Sequence, residues 1–172
     1  WSSSNRCGDA AAYCIAAPGA DITFVGKENG QTFYIGSGTS YAAPLVSGGL
    51  AIIKQEFSSL TNAQVVDRLL ATATDTGEYG QSTIYGHGLM NLSAATAAIG
   101  SLQTINGSNL LDDPNTSYYN LVDNTFTSSA AFSNALSAAL EDQTMEVYDS
   151  FDRANFKVDV GSFFSSGSYL SQ

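Results

Sequence analysis

An α/β fold is predicted by three features of this 172-residue chain. Lys27-Glu28-Asn29-Gly30 separates two short runs rich in β-branched and aromatic residues, 21–25 and 32–35, and an Asn-Gly pair favours the tight turn of a β-hairpin. A glycine turn at Gly38 then opens onto a stretch in which Val46, Leu50, Ile53 and Phe57 recur at steps of four, three and four, the spacing of one buried helical stripe. Finally, Thr61 and Gln64 form a capping box that starts a second helix, with Val65, Val66, Leu69 and Leu70 turned inward.

The elements follow in order. Pro44 fits the first turn of the long helix, where an N–H has no intrahelical partner to lose. Gly48 and Gly49 each cost a helix about 1 kcal/mol relative to alanine, which implies close approach of another backbone there. Residues 93–99 read as a short alanine-rich helix ended by Gly100. Composition changes after that point. Residues 101–128, rich in Ser, Asn, Thr and Asp, read as a linker. Phe132, Leu136 and Leu140 then predict a helix over 130–140. In 145–164, Phe156, Val158 and Val160 alternate with Lys157 and Asp159 as in a strand. The expected organisation is therefore a domain at 1–100, a linker at 101–128, and an extension at 129–172 that is helical and then strand-rich. A hydrophobic content of 44% is that of a globular chain, long enough to bury about 70% of its unfolded surface.

The chemistry concentrates in Gly38-Thr39-Ser40-Tyr41-Ala42-Ala43-Pro44. A serine delivered by a glycine turn onto a helix N-terminus has an exposed hydroxyl. Its own backbone N–H and the helix dipole favour the negative charge of an acyl-transfer oxyanion. These residues resemble the active-serine segment of the subtilisin-like serine proteases (subtilases). Three further segments resemble that family in the same order: Ile15-Ala16-Ala17-Pro18-Gly19-Ala20-Asp21-Ile22 before the serine, Thr61-Asn62-Ala63-Gln64-Val65-Val66-Asp67-Arg68-Leu69-Leu70 after it, and then Tyr85-Gly86-His87-Gly88-Leu89-Met90-Asn91-Leu92-Ser93-Ala94-Ala95. The resemblance covers residues 1 to 100. It implies the C-terminal half of a subtilisin-like fold, a partial parallel sheet with packed helices, followed by an extension poor in regular α/β structure. It also implies a catalytic Ser40 whose backbone N–H serves the oxyanion, with Gly38 and Thr39 shaping the active-site loop.

A serine hydroxyl is a weak nucleophile until a base takes its proton. In subtilases the Asp and His precede the Ser. No histidine lies among the 39 residues before Ser40, and the sole histidine, His87, reads as a solvent-facing turn residue. The family's oxyanion Asn has no counterpart here either. The resemblance thus implies a partner, an N-terminal fragment of the same precursor carrying Asp, His and Asn, which would also cover an apolar sheet edge left open in this half. Tyr41 is expected to pack, with contact to the substrate's leaving side as the alternative.

Cys7 and Cys14, the only cysteines, sit in Asn5-Arg6-Cys7-Gly8 and Tyr13-Cys14-Ile15, which look like a Cys pair of subtilase passengers in bacterial autotransporters. The resemblance implies one disulfide; two reduced thiols are the alternative reading. Two thiolates and one remote histidine do not make a zinc site. No cofactor is expected. Asp112-Asp113-Pro114-Asn115 is a weak calcium candidate, and the acidic turn is the favoured reading. Net charge is −10, and residues 101–172 hold nine acids against two Lys/Arg, a balance that argues against a nucleic-acid binder.

No apolar run approaches the ~20 residues of a membrane-spanning helix. Residues 1–20 lack the features of a signal peptide, so an export signal is expected on the N-terminal part. Tyr148-Asp149-Ser150-Phe151-Asp152-Arg153-Ala154-Asn155-Phe156-Lys157-Val158-Asp159 resembles the segment joining an autotransporter passenger to an outer-membrane barrel, and implies secretion or surface display through a bacterial outer membrane. Two classes of function follow. One is the serine-bearing chain of an exported endopeptidase acting on protein or peptide substrates. The other is a non-catalytic surface or structural protein reusing a protease half-fold.

Overall fold

Antiparallel pairing of Ile22–Val25 (β1) with Phe33–Gly36 (β2) forms the expected hairpin, with Phe24 opposite Tyr34 and Val25 opposite Phe33. The computed structural model describes residues 4–26, 32–105, 118–120 and 138–161, so the Lys27–Gly30 turn lies outside the described residues. The chain divides into two units, Trp1–Ala97 and Ala98–Gln172.

In the first unit, helix α1 (Thr39–Glu56) packs on α2 (Asn62–Ala71), and both contact the short α4 (Leu92–Ala95). Ile53, Phe57, Leu60, Val65, Leu69 and Ala95 form the core, all at most 4% exposed. The capping box is formed: Thr61 Oγ1 accepts from the Gln64 N–H, and Gln64 Oε1 accepts from the Thr61 N–H at 2.9 Å. Lys54, in the last turn of α1, donates to the carbonyls of Ser58 and Leu60, which favours the negative end of that helix.

Three local expectations are corrected. Pro44 is the sixth helical residue, past the first turn, so the Ser40 carbonyl four residues earlier lacks the usual N–H donor. Gly49 is pressed by side chains, not backbone: a Cβ there would meet Met90 Sδ at 2.9 Å and Leu92 Cδ2 at 3.0 Å. A Cβ on Gly48 would meet nothing within 4 Å. Val66, expected inward, is 42% exposed, and the inward position is taken by Arg68 at 0%. The buried face of α2 therefore runs 65, 68, 69, a helical i, i+3, i+4 set.

Residues 85–91 thread between two neighbours. Ala16 makes a parallel bridge with Leu89, and Thr74 an antiparallel one with the same residue. The parallel pairing implied for this half is present as that bridge, whereas the described strand ladders are antiparallel. Gly86 (φ +64°) and Gly88 (φ +110°) explain the Gly-His-Gly sequence, because a Cβ would strike the Cys14 and Thr74 carbonyl oxygens respectively. Between α2 and this segment, Ser82–Tyr85 (α3) forms one helical turn. Asn91 then caps α4, its Oδ1 accepting from Ala94 N–H at 3.0 Å while Nδ2 donates to Thr74 Oγ1.

The second unit is a four-stranded antiparallel sheet in the order β4-β3-β5-β6, built from Leu102–Ile105 (β3), Tyr118–Asn120 (β4), Thr144–Asp149 (β5) and Asn155–Asp159 (β6). Residues 102–105 and 118–120 are thus strands inside the stretch read as a linker, and β5 and β6 lie in the extension expected to be strand-rich. Residues 101–128 as a whole are rich in Ser, Asn, Thr and Asp, which is why composition alone suggested a loop. Phe156 and Val158 alternate with exposed Lys157 and Asp159, as expected. The helix expected over 130–140 and the Asp112–Asn115 turn lie wholly or mostly outside the described residues.

Candidate active site

Two hydrogen bonds close the turn that presents Ser40. The Gly38 N–H donates to the Gly19 carbonyl at 2.7 Å, and the Asp21 N–H donates to Ser37 Oγ at 2.9 Å. Gly19 admits no side chain, because a Cβ would lie 2.9 Å from the Gly38 carbonyl oxygen and 3.2 Å from Ala42 Cβ. The Pro18-Gly19 segment is therefore the floor against which the serine turn is set. Nothing in the pattern of the sequence pointed to the Asp21–Ser37 bond. The Gly19 contact had one trace, a glycine in a segment that runs just ahead of the serine.

Ser40 is the second residue of the 18-residue helix α1, with Gly38 as the N-cap residue. It is exposed, and among the described residues none accepts from its N–H or bonds its hydroxyl. N–H groups in the first turn of a helix have no carbonyl four residues back, and the aligned peptide dipoles place about half a positive charge there. The Ser40 N–H and Oγ thus share a solvent-facing, anion-favouring end of a helix. Thr39 precedes it as the first helical residue, also exposed.

Tyr41 turns away from that end. Its N–H closes on the Gly38 carbonyl at 3.0 Å, and its ring lies 5.2 Å from the Phe24 ring. A Cβ on Gly36 would collide with the Tyr41 hydroxyl end, so that glycine makes room for the ring. Tyr41 fixes the hairpin to the helix start.

His87 is half-buried, and its Nε2 lies 3.1 Å from the Ala12 carbonyl oxygen, so Nε2 carries the proton and donates. It is less open than the solvent-facing residue expected. Cys7 and Cys14 are joined in a disulfide with Cα atoms 5.9 Å apart, around a 3-10 turn at Gly8–Tyr13. The Cys14 carbonyl accepts from the His87 N–H at 2.9 Å, and the Cys7 N–H donates to the Ile84 carbonyl. The disulfide therefore braces the segment that carries His87. Among the described residues no three His, Cys, Asp or Glu side chains gather as metal ligands, and no helix is long and apolar enough to cross a membrane.

An exposed serine at the head of a long helix, its own N–H without an acceptor among the described residues, has features suited to acyl transfer. The Subtilase family model matches residues 1–88, half of the chain, and the chain belongs to that family. Over 97 residues it is 41% identical to serotype-specific antigen 1 of Mannheimia haemolytica, a match covering 54% of this chain and 10% of that protein. The extracellular serine protease of Serratia marcescens is 34% identical over 110 residues, covering 52% and 10%. The autotransporter lipoprotein NalP of Neisseria meningitidis serogroup B is 34% identical over 93 residues, covering 54% and 8%. The chain spans about a tenth of the length of these relatives.

Proposed function

We propose that this chain is the serine-bearing part of an exported subtilisin-like endopeptidase, with Ser40 as nucleophile. The observation that carries it is the placing of Ser40 Oγ and Ser40 N–H together at the exposed N-terminus of α1. In the proposed reaction Oγ attacks the scissile carbonyl carbon while its proton passes to a histidine supplied from outside this chain. The carbonyl oxygen becomes an oxyanion held by the Ser40 N–H and by an Asn donor from the same source. Collapse returns the proton to the leaving amine and gives an acyl-enzyme on Ser40, which water then hydrolyses. An Asp from the same polypeptide would orient the histidine. Gly38 and Thr39 shape the turn, and the chemistry calls for no cofactor.

The partner in this reading is the N-terminal part of the same precursor, and the substrate is a protein or peptide. Relatives described as extracellular or autotransporter proteins support secretion, with passage through a bacterial outer membrane and a downstream barrel as the route proposed here. Fluorophosphonate labelling of the full precursor tests the reading. Rapid labelling that disappears in Ser40→Ala is the expected result. An unlabelled, folded precursor would favour the non-catalytic surface protein instead.

A further inference from the structure

Residues paired across the β1–β2 ladder share a face, as do alternate residues along each strand, so Ile22, Phe24, Tyr34 and Gly36 lie on one side of the hairpin. Gly36 leaves a slot in that face opposite Ile22. The Tyr41 ring fills it: a Cβ on Gly36 would stand 2.6 Å from Tyr41 Cζ and 3.0 Å from its Cε2. The same ring lies 5.2 Å from Phe24, which in turn lies 5.9 Å from Tyr34. A second glycine bounds the far end of the row, where a Cβ on Gly26 would stand 2.8 Å from Tyr34 Cδ2. Three rings thus cross the hairpin between two glycines, and the last ring belongs to the residue after Ser40.

We infer that Tyr41 is a positioning residue for Ser40, acting through the slot at Gly36. This rests on the reading of Ser40 as the nucleophile. Successive residues of a helix are set about 100° apart around its axis, so a Tyr41 held in the hairpin slot turns Ser40 outward. The observed exposures agree: Ser40 is exposed and Tyr41 half-buried. The two hydrogen bonds of the turn hold Gly38 to Gly19 and Ser37 to Asp21, and neither reaches Ser40. Pro44 also withholds the N–H that the Ser40 carbonyl would otherwise accept, so the helix holds the serine peptide by one bond fewer. The Tyr41 ring supplies the missing constraint from the side chain next in line.

Fluorophosphonate labelling rates of the full precursor, with folding checked by circular dichroism, test the inference. Tyr41→Ala should slow labelling by about tenfold to a hundredfold, the loss that a displacement of about 1 Å can bring. Tyr41→Phe keeps the ring and should stay within about threefold of the unmutated rate. Gly36→Ala fills the slot and should slow labelling much as Tyr41→Ala does, because the ring, at the end of a flexible side chain, is what gives way. The double variant should be no slower than the slower single one, since both changes remove one contact. On a peptide substrate kcat should fall while KM changes by less than about twofold. Val65→Ala, in the core of the first unit, controls for lost stability: it should lower the melting temperature and leave the labelling rate unchanged. Should Tyr41→Ala not fold, Tyr41→Leu takes its place, with a loss of about tenfold expected. Labelling of Tyr41→Ala at the unmutated rate, additive losses in the double variant, or an equal loss in Val65→Ala would overturn the proposal and leave Ser40 as nucleophile. An unmutated precursor that does not label would remove the nucleophile reading and this proposal with it.

Discussion

The Arg68 Nε–H donates to the Ala95 carbonyl at 2.6 Å, from a guanidinium that is 0% exposed. Its Nη2 reaches the Ala97 carbonyl, and its Cζ stands 4.5 Å from the centroid of the Phe57 ring. One buried cation thus holds the exit of α4 to the last turn of α2 and lies over the residue that caps α1. A buried charge is tolerated where hydrogen bonds replace its water, and helix-end carbonyls are suitable acceptors.

Arg68→Met should destabilise the first unit by about 2–4 kcal/mol, because two carbonyls lose a charged donor in a place closed to water. Arg68→Lys should recover only part of that loss, since an ammonium lacks the planar fork that reaches both oxygens. Urea denaturation gives the comparison. A midpoint unchanged in Arg68→Met would contradict the role.

Gly19→Ala should cost about 1–3 kcal/mol and slow fluorophosphonate labelling of the precursor, since the new methyl meets the Gly38 carbonyl and Ala42. Gly48→Ala supplies the contrast. With open space around it, alanine should stabilise the isolated chain by up to about 1 kcal/mol through helix propensity. Thermal melts of the two variants should move in opposite directions.

Peptide mapping without reduction should recover Cys7 and Cys14 as one linked species. Reduction should cost about 2–3 kcal/mol by the chain-entropy account of so short a loop. It should also speed hydrogen exchange at the His87 N–H, which is bonded to the Cys14 carbonyl. Full alkylation of both thiols under native oxidising conditions would count against the bond.

Residues 1–172 alone should show no measurable peptidase activity, even with Ser40 in place. In subtilisin, loss of the base by itself costs about a millionfold in turnover. Hydrolysis of a casein or peptide substrate by the purified chain, free of other polypeptides, would be the contrary result.

Asp149→Ala should lower the stability of the second unit by about 2–4 kcal/mol. Asp149 is 0% exposed; its Oδ2 accepts from the Ile99 N–H at 3.0 Å and its Oδ1 from the Asp152 N–H at 3.3 Å. Truncation strands both donors. Asp149→Asn keeps one carbonyl acceptor and should lose less, as judged by denaturant midpoints.

Local signals read most directly from the sequence. The hairpin, the Thr61–Gln64 box and the stripe of Ile53 and Phe57 depend on neighbours a few residues away, and each lies where its pattern put it. Long-range pairings read less well. Arg68 lies on the same helical stripe as Val65 and Leu69, yet its charge argued for the surface, and only the carbonyls of Ala95 and Ala97 reverse that preference. The strands at 102–105 and 118–120 are short runs inside a stretch rich in Ser, Asn, Thr and Asp, so their identity comes from pairing partners, not composition. At the site, the serine turn was legible through its glycine and helix, whereas the Asp21–Ser37 bond left no mark in either residue's neighbourhood.

The two bonds that close the serine turn join residues only 16 and 19 positions apart. Loops of that size close quickly and at small entropic cost. The seat of the nucleophile can therefore form early in folding, ahead of any contact with a separate polypeptide. On the proposed reading, the attacking group would be shaped first and stay inert until the base arrives with that polypeptide.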